Sequence, residues 1–285
     1  MLINCKGTLT DISVPRVMGI LNCTPDSFFD GGKHSTETLL LQQAEKMLSE
    51  GADFIDIGAY SSKPNAAFVT AEEEKQRIVP VVELVLKHFP DTVISVDTFR
   101  ADVAKACTMS GAAIVNDISA GLLDKAMLQT VGELKVPYIM MHMRGTPQTM
   151  TKLTQYDDIV KEMLLYFSER VADARKHGID DIIIDPGFGF AKTLQQNYEV
   201  MCKLDLFKIA DLPILAGVSR KSMIYKLLGT TPDEALNGTT ALNMIALSKG
   251  AKILRVHDVK EAVEAAKIFN SLQPTDDDMA HSLKL

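Results

Sequence analysis

Eight short apolar runs, rich in valine and isoleucine, recur along the chain and limit its fold more than any other feature. Each run is continuous rather than alternating in polarity, which is typical of parallel strands that are covered on both faces. The runs lie near residues 17–21, 54–57, 93–96, 113–116, 137–141, 182–185, 213–217 and 252–256.

Amphipathic helical segments separate these runs. The clearest covers residues 155–177, where apolar residues at helical spacing form one stripe and Gly178 provides a C-terminal stop. Eight strand–helix units in a chain of 285 residues predict a single (β/α)8 TIM barrel. A doubly wound open sheet is the structural alternative, although no GxGxxG pattern follows the first predicted strand.

The chain has no linker and no shift in composition, so residues 1–285 are predicted to form one domain. Residues 1–14 precede the first predicted strand and are expected to form a short hairpin that plugs the barrel floor. The polar segment 273–285 is expected to be a flexible tail.

Composition narrows the class of protein. Hydrophobic residues make up 46% of the chain and the net charge is −7, which predicts a soluble globular protein. The acidic net charge gives no sign of the basic patch that binding to nucleic acids or anionic membranes requires. The N-terminal residues lack the features of a signal peptide, and the four cysteines are too far apart for a zinc site or a disulfide framework. A cytoplasmic location is therefore predicted.

Polar residues follow every predicted strand. The carboxyl ends of barrel strands converge on one face, where active sites lie, so these residues are expected to meet there. Taken singly, most have simpler explanations. An aspartate such as Asp56 is most often a helix N-cap, and His142 and Arg144 could serve only as caps or ion-pair partners. The convergence of asparagine, aspartate, lysine, arginine and histidine at one rim favours a functional site.

Eight sequence motifs, in the expected order, resemble those of dihydropteroate synthase. They run from Met18 to Val259 and read MGILNCTPDSFFDGG, FIDIGAYSSKP, SVDTFR, NDIS, MHMRGTP, DPGFGFAKT, GVSRKS and LRVHDV. The resemblance implies a transferase of folate biosynthesis that joins 6-hydroxymethyl-7,8-dihydropterin pyrophosphate to 4-aminobenzoate and releases pyrophosphate. It also implies Mg²⁺ as cofactor, a homodimer, and inhibition by sulfonamides.

The resemblance further implies which residues hold the pterin. The pterin edge presents an N–H beside an exocyclic amine, a donor pair that one carboxylate accepts in bidentate fashion, and a carbonyl that needs a donor. The matching positions carry suitable polar groups and two apolar side chains that would pack near the ring: Asp97, Asn116, Met140, Asp185, Phe190 and Lys221.

For the pyrophosphate, the resemblance implies Arg255 and His257. Residues i and i+2 of a strand share a face, and two positive donors on one face suit a leaving group with several negative charges. Asn22 is implied as the Mg²⁺ ligand, and Asp30 is implied to lie near the carbon that pyrophosphate leaves. Asp30, Lys221, Arg255 and His257 are thus the expected catalytic residues.

The 4-aminobenzoate site is implied to involve Phe28, Ser62, Lys63, Pro64 and Ser222. The family usually has Ser-Thr-Arg-Pro in the second loop, so Ser62 and Lys63 are departures. Lys63 retains the positive charge but lacks the planar fork of arginine, which predicts a working enzyme with a looser second loop.

The expected mechanism is dissociative, with pyrophosphate leaving before the neutral amine attacks. Two alternatives remain open at this stage. One is a methyltetrahydrofolate:corrinoid methyltransferase, which would share the pterin contacts but would not need the arginine–histidine pair of the last motif. The other is a paralogue that binds pterin but has lost catalysis.

Overall fold

Eight parallel strands close into a barrel in the computed structural model of the chain, which describes residues 1–23, 33–60 and 69–272. The predicted (β/α)8 barrel is therefore confirmed. The strands are β1 (Leu2–Cys5), β2 (Thr8–Asp11), β3 (Arg16–Asn22), β4 (Phe54–Gly58), β5 (Val93–Asp97), β6 (Ile114–Asp117), β7 (Tyr138–Met141), β8 (Ile182–Asp185), β9 (Ile214–Ala216) and β10 (Ala251–Val256). The order around the barrel is β10-β3-β4-β5-β6-β7-β8-β9, and a two-stranded antiparallel sheet, β1-β2, precedes it.

Helices connect successive barrel strands and pack against their outer faces. Within the described ranges they are α1 (Lys33–Ser49), α2 (Ala71–His88), α3 (Ala101–Met109), α4 (Met127–Leu134), α5 (Ile159–Lys176), α6 (Leu194–Cys202), α7 (Ser222–Leu228), α8 (Leu236–Ser248) and α9 (Val259–Ser271). None of these described helices combines the length and the apolar character needed to cross a membrane.

Helix α5 begins later than the predicted segment 155–177. Asp158 precedes it in an extended conformation, and its carboxylate accepts the backbone N–H of Lys161 at 3.0 Å. An N-cap of this kind satisfies a donor of the first turn and fixes where the helix starts. Tyr156 therefore lies in the preceding loop, and its hydroxyl donates to the carbonyl of Ala191 at 2.9 Å.

Side chains inside the barrel form layers, because every second residue of a strand faces the interior. The layer at the amino ends of the strands is apolar and clusters with the N-terminal residues: Ile3, Cys5, Ile12, Met18, Phe54, Ile114, Ile139, Ile183, Leu215 and Ile253. Two positions further along the strands the interior becomes polar, with Asp56, Ser95, Asn116, Asp185 and Arg255. The alternation of the strands thus places a polar layer above an apolar floor.

The N-terminal hairpin lies at this floor. Ile3 and Cys5 of β1 are buried in the apolar layer, and the backbone N–H of Asn4 donates to Asp181 Oδ2, just before β8, at 2.7 Å. Burial of each large apolar side chain contributes about 1.5–3 kcal/mol to stability, so this apolar layer stabilises the barrel directly below the polar layer. The organisation of residues 1–285 as one domain stays a prediction, and the predicted tail 273–285 lies outside the described residues.

Candidate active site

Arg255 is the centre of a charged network at the carboxyl end of the barrel. Its Nε donates to Asp56 Oδ2 at 2.6 Å, and its Nη2 donates to Asp97 Oδ2 at 2.7 Å. The side-chain amide of Asn116 donates to the same Asp56 oxygen at 3.0 Å. The network therefore joins four strands and brings together Asp97, Asn116 and Arg255, which the sequence predicted as site residues.

Asp56 belongs to this network and does not cap a helix, which corrects its interpretation from the sequence. It is the middle residue of β4, is completely buried, and faces the barrel interior like Phe54 and Gly58. A carboxylate in such a place needs a cation and hydrogen bonds to offset its lost hydration, and Arg255 with Asn116 supplies them. The signal available in the sequence was a single charged residue in the middle of an apolar run.

Burial and neighbouring charges shift the pKa values of the network. Burial raises the pKa of Asp97 to about 7; the Arg255 guanidinium opposes this rise, and the Asp56 carboxylate adds to it. Burial acts to lower the pKa of Arg255, but the attraction of Asp56 and Asp97 outweighs it and raises the pKa. Arg255 thus stays cationic, while Asp97 can exchange a proton near neutral pH.

Asp185 ends β8 on the opposite side of the same layer. Its Oδ1 accepts the backbone N–H of Gly187 at 2.7 Å, which orients the carboxylate. Burial raises the pKa of Asp185, and the charges of Lys221, Arg255 and Lys192 oppose the rise. The carboxylate is therefore buried among cations.

Lys221 lies beside Asp185 and Phe190. Its Nζ donates to the carbonyl of Phe188 at 2.5 Å and lies 5.1 Å from the centroid of the Phe190 ring. Burial lowers the pKa of Lys221 to about 8, with Asp185 opposing the shift. The amine is thus mainly protonated at neutral pH and retains hydrogens for a further acceptor.

His257 is exposed just beyond the end of β10. Its backbone N–H donates to Ser219 Oγ at 3.1 Å, and its Nδ1 lies 3.0 Å from the same oxygen. Although the ring reaches solvent, burial on its other sides and then the charge of Arg255 lower its pKa to about 4. The pair at Arg255 and His257 is therefore one cation and one neutral imidazole, rather than two positive donors.

The turn that carries Lys221 and Ser222 is fastened to the residue after His257. Arg220 has a φ of +53°, a conformation that a residue with a side chain rarely adopts. Its guanidinium donates to both oxygens of Asp258, at 3.0 and 2.7 Å. This bidentate pair holds Lys221 and Ser222, at the start of α7, close to the end of β10.

Met140 does not face the site, which corrects the predicted pterin contact. It is completely buried on the outer face of β7, in the layer between barrel and helices. Met141 lies on the inner face, pairs in register with Asp185, and clusters with Met150 and Phe190 at the rim. A shift of one residue moves a side chain to the other face of a strand, so Met141 takes the position predicted for Met140.

Asn22 ends β3 with its side chain exposed at the carboxyl face. Among the described residues, no group of three or more histidine, cysteine, aspartate or glutamate side chains could hold a metal ion. One amide oxygen suits a Mg²⁺ ion that takes its other ligands from phosphate and water, which is a common arrangement for this ion. The donor set fits a metal that binds together with a phosphate substrate.

Five predicted residues, Phe28, Asp30, Ser62, Lys63 and Pro64, lie outside the described residues. Tyr60, in the same sequence motif as Ser62 and Lys63, is among the described residues. Its hydroxyl accepts a hydrogen bond from Gln148 Nε2 at 2.9 Å, and its ring meets Phe99 edge to face with centroids 5.2 Å apart. Tyr60 thus links the ends of β4 and β5 to the loop after β7.

Comparison with known proteins agrees with this geometry. The family described as pterin binding enzyme matches residues 18–257 of the chain. The dihydropteroate synthase of Escherichia coli K12 is 44% identical over 273 residues, which cover 95% of this chain and 96% of that protein. The chain belongs to the dihydropteroate synthase family.

Solved structures of dihydropteroate synthases share the fold. The Yersinia pestis enzyme, crystallised with a sulfonamide drug complex, has a TM-score of 0.89 at 41% identity and covers 95% of this chain and 98% of that one. The Xanthomonas albilineans enzyme in complex with 7,8-dihydropteroate has a TM-score of 0.87 at 36% identity, with 96% and 100% covered. As a dihydropteroate synthase, the chain is a transferase of folate synthesis.

One further group beside this dihydropteroate synthase site was missed from the sequence. Glu74 of α2 is completely buried and pairs with Arg100, whose Nη2 also donates to the carbonyl of Val69 at 2.5 Å. Burial raises the pKa of Glu74, and Arg100 is among the groups that oppose the rise. Nothing in the run of three glutamates at the start of α2 distinguishes the buried one, so the sequence carried no usable signal.

Proposed function

We propose that this site condenses 6-hydroxymethyl-7,8-dihydropterin pyrophosphate with 4-aminobenzoate by a dissociative displacement that gives 7,8-dihydropteroate and pyrophosphate. The Arg255 network carries the proposal. Arg255 uses two of its N–H donors on Asp56 and Asp97, and a guanidinium has five, so donors remain for an anionic group at the same rim. The buried carboxylates fix the position of this cation before substrate binds.

The pterin would bind in the polar layer of the barrel. In this proposal Asp185 accepts the ring N–H and the exocyclic amine, and Lys221 donates to an acceptor on the ring. Asn116 and Asp97 contact the remaining polar atoms. Phe190, and Met141 in place of Met140, pack near the ring. The support is chemical, because these donors and acceptors match a pterin edge in kind.

The pyrophosphate would leave towards Arg255 and His257. Arg255 offers its free N–H groups, and a neutral His257 whose Nδ1 accepts from Ser219 offers Nε2–H, so both donate to oxygens that gain negative charge as the bond breaks. Asn22 would hold Mg²⁺ together with these oxygens. When bound, the metal ion supplies further positive charge to the leaving phosphate.

The carbon left behind is conjugated with the pterin, so the proposal needs no protein nucleophile. Cys23, next to Asn22, is unsuited to that role because burial raises its pKa to about 12 and its thiol donates to the carbonyl of Gly58 at 3.3 Å. We propose that Asp30 lies near the cationic carbon. The amine substrate would lie among Phe28, Ser62, Lys63, Pro64 and Ser222, and sulfonamides would compete for the same place.

Positional isotope exchange tests the dissociative step. The substrate would carry oxygen-18 in the bridge between the methylene carbon and the first phosphorus, and the enzyme would be incubated with it and Mg²⁺ without 4-aminobenzoate. We expect the label to spread to non-bridging positions, because pyrophosphate can leave, rotate and recombine while the site holds both parts. A label that stays in the bridge while complete reaction mixtures turn over would contradict the dissociative order and favour direct displacement.

We also propose that the protein is cytoplasmic and forms a homodimer. Exposed apolar side chains on neighbouring helices support the dimer. Leu227 and Leu228 of α7 are 60% and 56% exposed, and Ile245 of α8 is 42% exposed. Such groups gain by mutual burial in an interface. Sedimentation equilibrium should give twice the chain mass, and Leu228→Lys should shift the protein to monomer. Leu9→Lys, at an exposed position of the hairpin, is the matched control, and monomeric wild-type protein at all concentrations would contradict the dimer.

A further inference from the structure

The loop that follows β8 is held in an unfavourable backbone conformation. Gly187, Gly189 and Ala191 have φ values of +67°, +84° and +46°. Glycine adopts positive φ readily, but the side chain of Ala191 disfavours this region, so contacts from the surrounding structure are needed to hold the loop there. The loop carries Phe190 and begins directly after Asp185, so its conformation affects both residues.

Lys192 provides two of those contacts, and a third contact to His142, from a single atom. Its Nζ lies 3.0 Å from the carbonyl of Gly187, 3.1 Å from the carbonyl of Phe190, and 3.1 Å from His142 Nδ1. Burial lowers the pKa of Lys192 to about 7, and the charge of Asp185 opposes the shift. The protonated form has three hydrogens, one for each of the three acceptors. The side chain is only 9% exposed, and the proposed reaction assigns it no role.

His142 is fixed in turn by the aromatic residues around it. It is 2% exposed, and its ring meets Tyr166 of α5 edge to face with centroids 4.8 Å apart. Burial, and then the charge of Lys192, lower the pKa of His142 well below its ordinary value. A neutral imidazole can accept the hydrogen bond from the Lys192 ammonium group at Nδ1. Helix α5 therefore supports Lys192 through the contact of Tyr166 with His142.

Lys192 also affects Asp185. Its charge is among those that oppose the rise in the pKa of Asp185, and its hydrogen bond to the carbonyl of Gly187 orients the peptide chain whose N–H group binds Asp185 Oδ1. Other side-chain contacts of the loop come from Asn197, which accepts the backbone N–H of Gly189 at 2.7 Å, from Tyr156 at Ala191 and from Lys221 at Phe188. None of these three side chains reaches the carbonyls of Gly187 and Phe190.

We propose that Lys192, with His142 as its acceptor, is a positioning residue that sets Asp185 and Phe190 for pterin binding. The inference rests on the proposed function, because it assigns the pterin to these two residues. It concerns the pterin side of the site alone. In the described part of the chain the Arg255–Asp56–Asp97 network makes no hydrogen bond to Lys192, so loss of Lys192 should disturb the pyrophosphate side less than the pterin side.

The test compares two probes on Lys192→Met, which keeps the length of the side chain and removes its hydrogen bonds. Calorimetry with 6-hydroxymethylpterin should show a loss of affinity of about tenfold or more. The reason is that the variant loses the three hydrogen bonds of Lys192, whose combined net contribution is of this size. Affinity for inorganic pyrophosphate with Mg²⁺ should stay within about twofold of wild type. Lys203→Met, an exposed lysine paired with Glu199 on α6, is the control and should match wild type with both probes.

A merely structural role would weaken the binding of both probes together. A parallel loss of affinity for pterin and pyrophosphate therefore overturns the inference, and so does an unchanged affinity for pterin. If Lys192→Met does not fold, His142→Phe gives the same comparison, because it leaves Lys192 its two carbonyl acceptors and removes the third.

If both single variants fold, the double variant Lys192→Met/His142→Phe adds a further check. Its loss of pterin affinity should be smaller than the sum of the two single losses, since His142 acts through Lys192. Wild-type protein that fails to bind 6-hydroxymethylpterin would count against the proposed function. Normal binding in both wild type and Lys192→Met would overturn the Lys192 inference alone.

Discussion

Replacing Arg255 with methionine should reduce turnover by at least about 100-fold, because a donor that binds the leaving group is lost. It should also lower the free energy of unfolding by about 3–5 kcal/mol, the usual cost of removing one partner from a buried ion pair. The stability loss follows from the contacts: Asp56 is completely buried and Asp97 is mostly so, and both use Arg255 as their cation. Chemical denaturation and initial rates of pyrophosphate release measure the two effects.

The stability loss in Arg255→Met should depend on pH. Burial raises the pKa of Asp97 to about 7 even beside Arg255, and removing the guanidinium raises it further. A carboxyl group with a raised pKa in the folded state destabilises that state when ionised, and the penalty disappears as pH falls and the group is protonated. The difference in unfolding free energy between variant and wild type should therefore be smaller at about pH 5 than at about pH 8.

Two companion variants separate charge burial from catalysis. Arg16→Met removes a half-buried ion pair with Asp53, at the amino end of the neighbouring strand β3, and should cost stability while leaving turnover unchanged. Adding Asp56→Asn to Arg255→Met should restore part of the stability without restoring turnover, since the orphaned charge is gone but the donor is still missing. Normal turnover in folded Arg255→Met would rule out the proposed role of Arg255.

Replacing Asp185 with asparagine should weaken pterin binding by about 2–3 kcal/mol, or about 30- to 150-fold in affinity. Asparagine keeps an oxygen for the Gly187 N–H, so the loop after β8 should be retained. It cannot accept two hydrogen bonds with the strength of a carboxylate, and its amide NH2 group is a donor that would face the donors of the pterin edge. Calorimetry with 6-hydroxymethylpterin measures the change directly.

The matched control for Asp185→Asn is Asp181→Asn, just before the same strand at the barrel floor. Asp181 accepts the Asn4 N–H at 2.7 Å, and its replacement should leave pterin affinity unchanged. Inorganic pyrophosphate should bind Asp185→Asn at least as well as wild type, because a negative charge near Arg255 and Lys221 has been removed. Unchanged pterin affinity in folded Asp185→Asn would show that the pterin lies elsewhere.

The fold could be predicted because parallel barrel strands are buried on both faces and therefore read as continuous apolar runs. Strand β8 was predicted at its observed bounds, 182–185, and the ends of the other barrel strands differ by at most one residue. Helix α5 started later than predicted because the cap at Asp158, rather than the apolar stripe, determines its first residue.

The site was predicted less completely, because the sequence does not show towards which face of a strand each side chain points. A continuous apolar run hides which residues face the interior, so Met140 was chosen although the inner face carries Met141. The same ambiguity made Asp56 look like a cap. The supporting role of His142 for Lys192 depends on residues 50 positions apart in sequence, which no local pattern reveals.

The most direct test of the central claim is the reaction itself, followed by pyrophosphate release and by separation of the pterin product. With Mg²⁺ and both substrates present, the protein should form 7,8-dihydropteroate and pyrophosphate in equal amounts, and omitting 4-aminobenzoate should stop product formation. Folded protein that binds 6-hydroxymethylpterin but forms neither product would contradict the account and identify a pterin-binding relative that has lost catalysis.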